Sequence, residues 1–256
     1  MKAKKSLGQN FLKSEIALRK IIEAGEIKPD DIILEIGPGK GALTKKLLEH
    51  AGVVFAVEKD YELMGFLKTK FEKEISEKKL ILINEDILEF DPLLISPLAG
   101  GEKTKYKIIA NIPYNITGAI LKKFLTEKNQ PECMVLMVQN EVAKRIVARD
   151  GKESILSISV KAYGEPKMVM KVPARYFSPA PKVDSAIISI KNISRKNFIS
   201  PQFFEERFWE VVKAGFAHKR KKLSGNLKSF KSLNLSEIGD KRAEDLTLAE
   251  WFLLAN

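Results

Sequence analysis

The residues Glu35-Ile36-Gly37-Pro38-Gly39-Lys40-Gly41 put one carboxylate and three glycines directly after an apolar run at 32–36. Glycines at a strand-to-helix turn let the backbone approach a ligand closely, and the start of the helix offers free N–H groups. Glu58 closes the next apolar run, about twenty residues beyond Gly37, where doubly wound sheets use a carboxylate to accept from ribose hydroxyls. Two details point away from a dinucleotide. Pro38 removes a donor from the turn, and the third glycine comes too early for G-x-G-x-x-G. Glu35 would repel a pyrophosphate and attract a cation, such as a sulfonium that carries an α-amino acid.

Asp86 follows the third apolar run in Asn84-Glu85-Asp86-Ile87. It reads either as a turn cap or as an acceptor for an adenine amino group, with Ile87 packed on the ring. The most telling segment is Asn111-Ile112-Pro113-Tyr114, after the fourth run. An aryl amine is a poor nucleophile because its lone pair is delocalised into the ring. An amide oxygen from Asn111 and a main-chain carbonyl beside Pro113 would each accept one N–H and draw the nitrogen towards tetrahedral geometry. Tyr114 offers a stacking face for a base taken out of its helix. The expected chemistry is direct methyl transfer to an exocyclic amine, with alignment of amine, methyl and leaving sulfur as the main contribution.

Positioning these groups needs an alternation of strands and helices. Apolar runs at 32–36, 53–57, 80–83, 107–110, 134–138, 155–162 and 185–190 predict seven strands, five parallel and a terminal reversed pair. The expected fold class is α/β, repeated β–α units over a mostly parallel sheet. Ser14 is the expected cap of a helix running to residue 24, with Gly25 as its terminator. Asp60 is the cap of a longer one that presents Leu63, Leu67, Phe71 and Ile75 at helical spacing. Residues 117–128 and 140–149 make two more. A loop at 164–181, rich in proline and aromatics, joins the last two strands. Beyond a polar linker at 191–201, residues 203–217, 222–230 and 246–254 read as helices. The expected domains are 1–193, carrying the chemistry, and 194–256, a small all-helical RNA-binding domain.

The chain has 256 residues, 45% of them apolar, and a net charge of +11. Residues 1–20 hold six Lys/Arg against one acid, and residues 191–231 hold eleven against three. Positive flanks around a nearly neutral middle suit a polyanion, since each neutralised phosphate releases counterions. Cys133 is the single cysteine and sits in an apolar run, which excludes an internal disulfide and argues against covalent catalysis. His50 and His218 lie far apart without ligand spacing, so no metal is expected. No apolar run reaches membrane-spanning length and no signal pattern is read, so a cytoplasmic protein is expected.

Several blocks together resemble one family, the small-subunit ribosomal RNA adenine dimethyltransferases. They are Lys5-Ser6-Leu7-Gly8-Gln9-Asn10-Phe11-Leu12, the stretch 35–41, Val57-Glu58, Glu85-Asp86, Asn111-Ile112-Pro113-Tyr114-Asn115-Ile116, Phe177-Ser178-Pro179-Ala180-Pro181-Lys182-Val183-Asp184-Ser185-Ala186, and 216–227. The resemblance implies a Rossmann-like methyltransferase sheet with a small helical domain, S-adenosylmethionine as cofactor, and transfer of two methyl groups to each of two adjacent adenines near the 3′ end of small-subunit rRNA. It implies a monomer acting on the small ribosomal subunit or its precursor. It puts cofactor contacts on Asn10, Leu12, Gly37, Glu58, Asp86 and Asn111, and the target adenine between Tyr114 and Phe177. From the residues alone, Phe177 reads as core packing, or as an aromatic held in a loop stiffened by Pro179 and Pro181. Lys219, Arg220, Lys221 and Lys222 suit phosphate contacts. The nearest competing target is large-subunit rRNA, methylated by the macrolide-resistance enzymes; a NAD-dependent oxidoreductase and a non-catalytic RNA-binding factor are the others.

Overall fold

The computed structural model describes residues 3–4, 7–95, 104–198 and 202–255, without the side chains of 202–204. Lys5 and Ser6 of the N-terminal block and residues 199–201 of the expected linker lie outside the described residues. The chain forms two compact units, one of residues 1–143 with 165–193 and one of 144–164 with 194–256.

In the first unit a short strand β1 (Phe11–Leu12) leads into α1 (Glu15–Gly25). Then come β2 (Ile32–Ile36), α2 (Ala42–Leu48), β3 (Val53–Val57), α3 (Tyr61–Lys70), α4 (Glu72–Ser76) and β4 (Leu80–Ile83). They are followed by β5 (Lys107–Asn111), α5 (Thr117–Thr126), β6 (Cys133–Gln139), α6 (Asn140–Val147), whose residues from Lys144 on belong to the second unit, and α7 (Ile155–Lys161), wholly within that unit. The first unit closes with β7 (Glu165–Val172), β8 (Phe177–Ser178) and β9 (Ser185–Lys191). Among the described residues, seven strands make one sheet in the order β4-β3-β2-β5-β6-β9-β7, with β9 antiparallel to both its neighbours. The order reverses between β2 and β5, so a crevice opens at their carboxyl ends.

Local chemistry accounts for the elements. Ser14 Oγ caps α1 by accepting from Ala17 N at 3.3 Å, and Asp60 caps α3 by accepting from Glu62 N at 3.0 Å. The left-handed residue ending α1 is Glu26 (φ 45°), not Gly25. Gly25 answers a different need, because a Cβ there would stand 2.6 Å from Ile109 Cδ1 on β5. The long helix expected after Asp60 breaks at Phe71, whose ring packs against Gly41 and whose backbone leaves helical values.

The strand expected at 155–162 is a helix. Ser154 and Ser157 form a capping box at its start, which overrides the β-like alternation of Ile155 to Val160. The seventh strand is β7, inside the stretch read as loop. Pro166 and Pro173 disguised it, yet β7 is an edge strand, where a proline costs no ladder bond.

Among the described residues the second unit contains α7, α8 (Gln202–Gly215), α9 (Leu223–Asn226) and α10 (Leu248–Ala255). Its aromatic core stacks Tyr163 on Trp209, and the indole N–H donates to the Tyr163 hydroxyl at 3.1 Å. Phe208 stacks on Phe252 at 4.5 Å. The helix expected at 222–230 is confined to the single turn of α9.

Candidate active site

A cavity of about 400 Å³ lies at the carboxyl ends of β2, β3, β4 and β5 and is roofed by residues 7–13. Its size falls within the range of small-ligand sites, about 300–1,000 Å³. The first unit alone supplies its lining. Asn10, Leu12, Glu35, Gly37, Gly39, Glu58, Asp86, Ile87, Asn111 and Tyr114 all line it.

The glycine turn is conformationally demanding. Gly37, Gly39 and Gly41 have φ of 64°, 59° and 72°, a region that favours glycine. Gly37 N donates to Val57 O at 2.9 Å and Gly41 N to Pro38 O at 2.9 Å. A Cβ at Gly39 would come within 3.0 Å of the Phe11 ring, so the roof rests directly on the turn. Lys40 Nζ stands 4.9 Å from the centre of that ring.

Glu35 is buried at the end of β2, and its Oε2 has no hydrogen-bond partner. Burial pushes its carboxyl up to about 8, and the nearby Glu58 adds to the rise. Glu58 is also raised by burial, against the pull of its hydrogen bonds. Its Oε2 accepts from Gly39 N at 3.1 Å and its Oε1 from Asp60 N at 2.9 Å. Asp86 is held below the usual carboxylate range by Lys59, 2.6 Å away, and its Oδ1 caps the turn at Leu88 N at 3.0 Å.

At the exit of β5, Asn111 Nδ2 donates to the main-chain oxygen of Asn10 at 3.1 Å. A carbonyl can only accept, so this contact fixes the amide: nitrogen towards the roof, Oδ1 left as an acceptor. Tyr114 begins a single 3₁₀ turn after Pro113, and its hydroxyl is hydrogen-bonded to Ser185 Oγ at the start of β9. Burial raises the phenol above its ordinary pKa, so it stays neutral.

The model of the ribosomal RNA adenine dimethylase family matches residues 1–255. The chain belongs to this family. Among similar proteins, the ribosomal RNA small subunit methyltransferase A of Dehalococcoides mccartyi (strain CBDB1) is 42% identical over 98% of this chain and 87% of its own. The protein of the same name from Francisella tularensis subsp. novicida is 38% identical over 100% and 97%. Among solved structures, a dimethyladenosine transferase from Plasmodium falciparum superposes with a TM-score of 0.78 at 26% identity, covering 96% of this chain and 95% of that one. The 23S rRNA methyltransferase ErmE gives 0.78 at 25% identity, over 96% and 98%.

In this dimethylase, Phe177 does not reach the cavity lining. It is 2% exposed, sits in the core with Leu12, Val172 and Ile187, and pairs across β1 and β8 with Leu12. Its neighbour Ser178 lines the cavity. Lys219, Arg220, Lys221 and Lys222 are all exposed, and Lys222 is paired with Asp240 at 2.8 Å. No cluster of three or more metal-ligating side chains occurs among the described residues, and no helix among them is long and apolar enough to cross a membrane. Cys133 is buried in β6, with its thiol pushed up to about 11 by burial.

Three residues that hold the site together were given no part in the site by the sequence reading: Ser185, Lys59 and Asp60, the last read only as a helix cap. The first sits in the Val183-Asp184-Ser185 block and the others beside Glu58, so position was legible and partner was not.

Proposed function

We propose that this dimethylase transfers methyl groups from S-adenosylmethionine to N6 of two adjacent adenines near the 3′ end of small-subunit rRNA. The observation that carries the reading is the fixed Asn111 amide, whose Oδ1 is the acceptor an aryl amine needs at the exit of β5.

The cavity suits such a cofactor. Glu35 Oε2 is an orphaned buried acceptor that a cationic amino acid group would satisfy, keeping the carboxylate ionised. The bare Gly37 and Gly39 backbone leaves room beside it. Glu58 retains unused lone pairs for ribose hydroxyls, and Ile87 offers an apolar face with Asp86 beside it. When bound, S-adenosylmethionine supplies a methyl group on a positively charged sulfur.

Asn111 Oδ1 accepts one amine N–H. The Ile112 carbonyl accepts the other, since that of Pro113 already takes Ile116 N at 3.4 Å. With both N–H bonds held, the nitrogen lone pair is localised and aimed, and the ammonium formed loses its proton without an assigned base. Tyr114, fixed by Ser185, stacks on the extruded base. Lys219, Arg220 and Lys221, with Lys222 more weakly, contact phosphates. The partner is the small subunit or its precursor, and the enzyme works as a cytoplasmic monomer without metal.

A large-subunit target is the competing reading. The small-subunit names of relatives at 38–42% identity, against 25% for the ErmE structure, favour the small subunit. Radiolabelled methyl transfer to small and large subunits that lack the modification, with the labelled nucleotides mapped, tests both. Label on two adjacent adenines near the small-subunit 3′ end is expected. Label on large-subunit rRNA alone would replace the target, and transfer to neither would remove the reading.

A further inference from the structure

We infer that Asp60 is a positioning residue, which through Lys4 and Gln9 latches the strap of residues 7–13 over the cavity so that Asn10, within that strap, holds the Asn111 amide in its working orientation. The latch is drawn from contacts within the protein; its effect on turnover rests on the methyl-transfer reading above.

Asp60 does more than cap α3. Its Oδ1 takes Lys4 Nζ at 2.7 Å, and its Oδ2 takes Gln9 Nε2 at 2.8 Å. Gln9 closes the loop on itself, its Oε1 accepting from Lys4 N at 2.7 Å. Both partners lie more than fifty residues away in sequence, so these bonds fasten one segment to another. A helix cap needs only one acceptor, which Ser or Asn supplies equally well. The second oxygen and the negative charge serve the strap. The Asp60 side chain is 2% exposed. Burial alone would raise its carboxyl, yet Lys4, Gln9 and the Glu62 N–H together more than offset this and hold it below the usual range.

The strap touches the site at two further points. Phe11 covers Gly39 and lies under Lys40. The Asn10 carbonyl takes the Asn111 N–H at 3.1 Å. An open strap would withdraw that carbonyl and free the amide to rotate, misplacing the acceptor of the reacting amine. Asp60 N also donates to Glu58 Oε1, so the latch residue is bonded to the carboxylate assigned to the ribose.

The test uses full-length protein and the rate of trypsin cleavage after the exposed Lys13, identified by mass spectrometry. Asp60→Asn keeps an acceptor for the cap and loses the charge, while Lys4→Met keeps the Asp60 cap of α3 and gives up the Lys4 pairs with Asp60 and, at 3.3 Å, with Glu62. Each should speed cleavage by about fivefold, the scale of one partly exposed charged hydrogen bond. The double variant should be no faster than the faster single one, with melting temperatures close to wild type. Asn111→Asp places an oxygen opposite the Asn10 carbonyl and should speed the same cut. In transfer assays, Asp60→Asn and Lys4→Met should lower kcat several-fold with the KM for RNA unchanged. Unchanged protection in Asp60→Asn and Lys4→Met would overturn the latch. Unchanged protection in Asn111→Asp would overturn its link to the amide. A wild-type protein that bound no S-adenosylhomocysteine and transferred no methyl would remove the proposed function, while the cleavage comparison would still judge the latch.

Discussion

Glu58 Oε2 accepts the N–H of Gly39 at 3.1 Å, which ties the end of β3 to the glycine turn after β2. The carboxylate assigned to the ribose is therefore also a structural acceptor for the turn that borders it. Its other oxygen serves Asp60 N. Glu58→Ala leaves two sheltered N–H groups without their partner, and should destabilise the protein by about 1–3 kcal/mol. S-adenosylhomocysteine should bind at least tenfold more weakly. Glu58→Gln keeps one acceptor and should lose less of both. Urea denaturation and calorimetric titration measure the two effects; wild-type affinity in the alanine variant would contradict the assignment.

Asn111→Ala removes the acceptor assigned to the reacting amine and touches no phosphate contact. Methyl transfer should fall by at least a hundredfold, the scale of one preorganised acceptor group, about 3 kcal/mol. Affinity for the RNA should stay within about threefold. Single-turnover rates and filter binding separate the two, and undiminished turnover would remove the mechanism.

The buried Glu35 gives stability a pH dependence. Its folded pKa, about 8, lies above the ordinary 4.5, so the native state binds the extra proton between these values. The sign follows from linkage: the contribution is fully present below about pH 4.5 and lost as pH rises through about 8. Glu35→Gln removes this dependence. Between pH 5 and 8 the stability of wild type relative to the variant should fall by up to about 1 kcal/mol per pH unit. Denaturation midpoints at several pH values test this, and parallel curves for the two proteins would refute it.

Replacing Lys219, Arg220, Lys221 and Lys222 by Ala should weaken RNA binding and flatten its salt dependence. Since Lys222 is engaged by Asp240, the loss should correspond to about three phosphate contacts, with the log–log slope reduced by about 2 to 3. Binding measured across a salt series checks this. An unchanged slope would mean that the run only solvates the surface.

Much of the site was legible because its parts are local. A glycine turn, a carboxylate at a strand end and the tetrapeptide from Asn111 to Tyr114 are each set by a few adjacent residues, whose backbone demands mark the sequence directly. The five parallel strands were legible for a similar reason, since strands buried on both faces read as continuous apolar runs. The alternating run at 155–162 misled because its pattern fits a strand, while a two-serine capping box decides for a helix, which buries Ile158 and Val160. Pro166 hid β7 because only the sheet order shows that this strand lies at an edge.

By itself, then, the sequence determined which chemical groups exist, the order of the elements and the exits of the strands that carry the groups. Tertiary structure alone decided what each group is bonded to. Phe177 lies in the core because β8 pairs with β1, Asp60 holds Lys4 and Gln9, and the Asn111 amide is turned by a carbonyl about a hundred residues away. The physical reason is range. Backbone propensity and burial act over a few residues and leave a pattern, whereas a hydrogen bond between distant segments depends on how the whole sheet brings them within 3 Å and leaves no periodic trace.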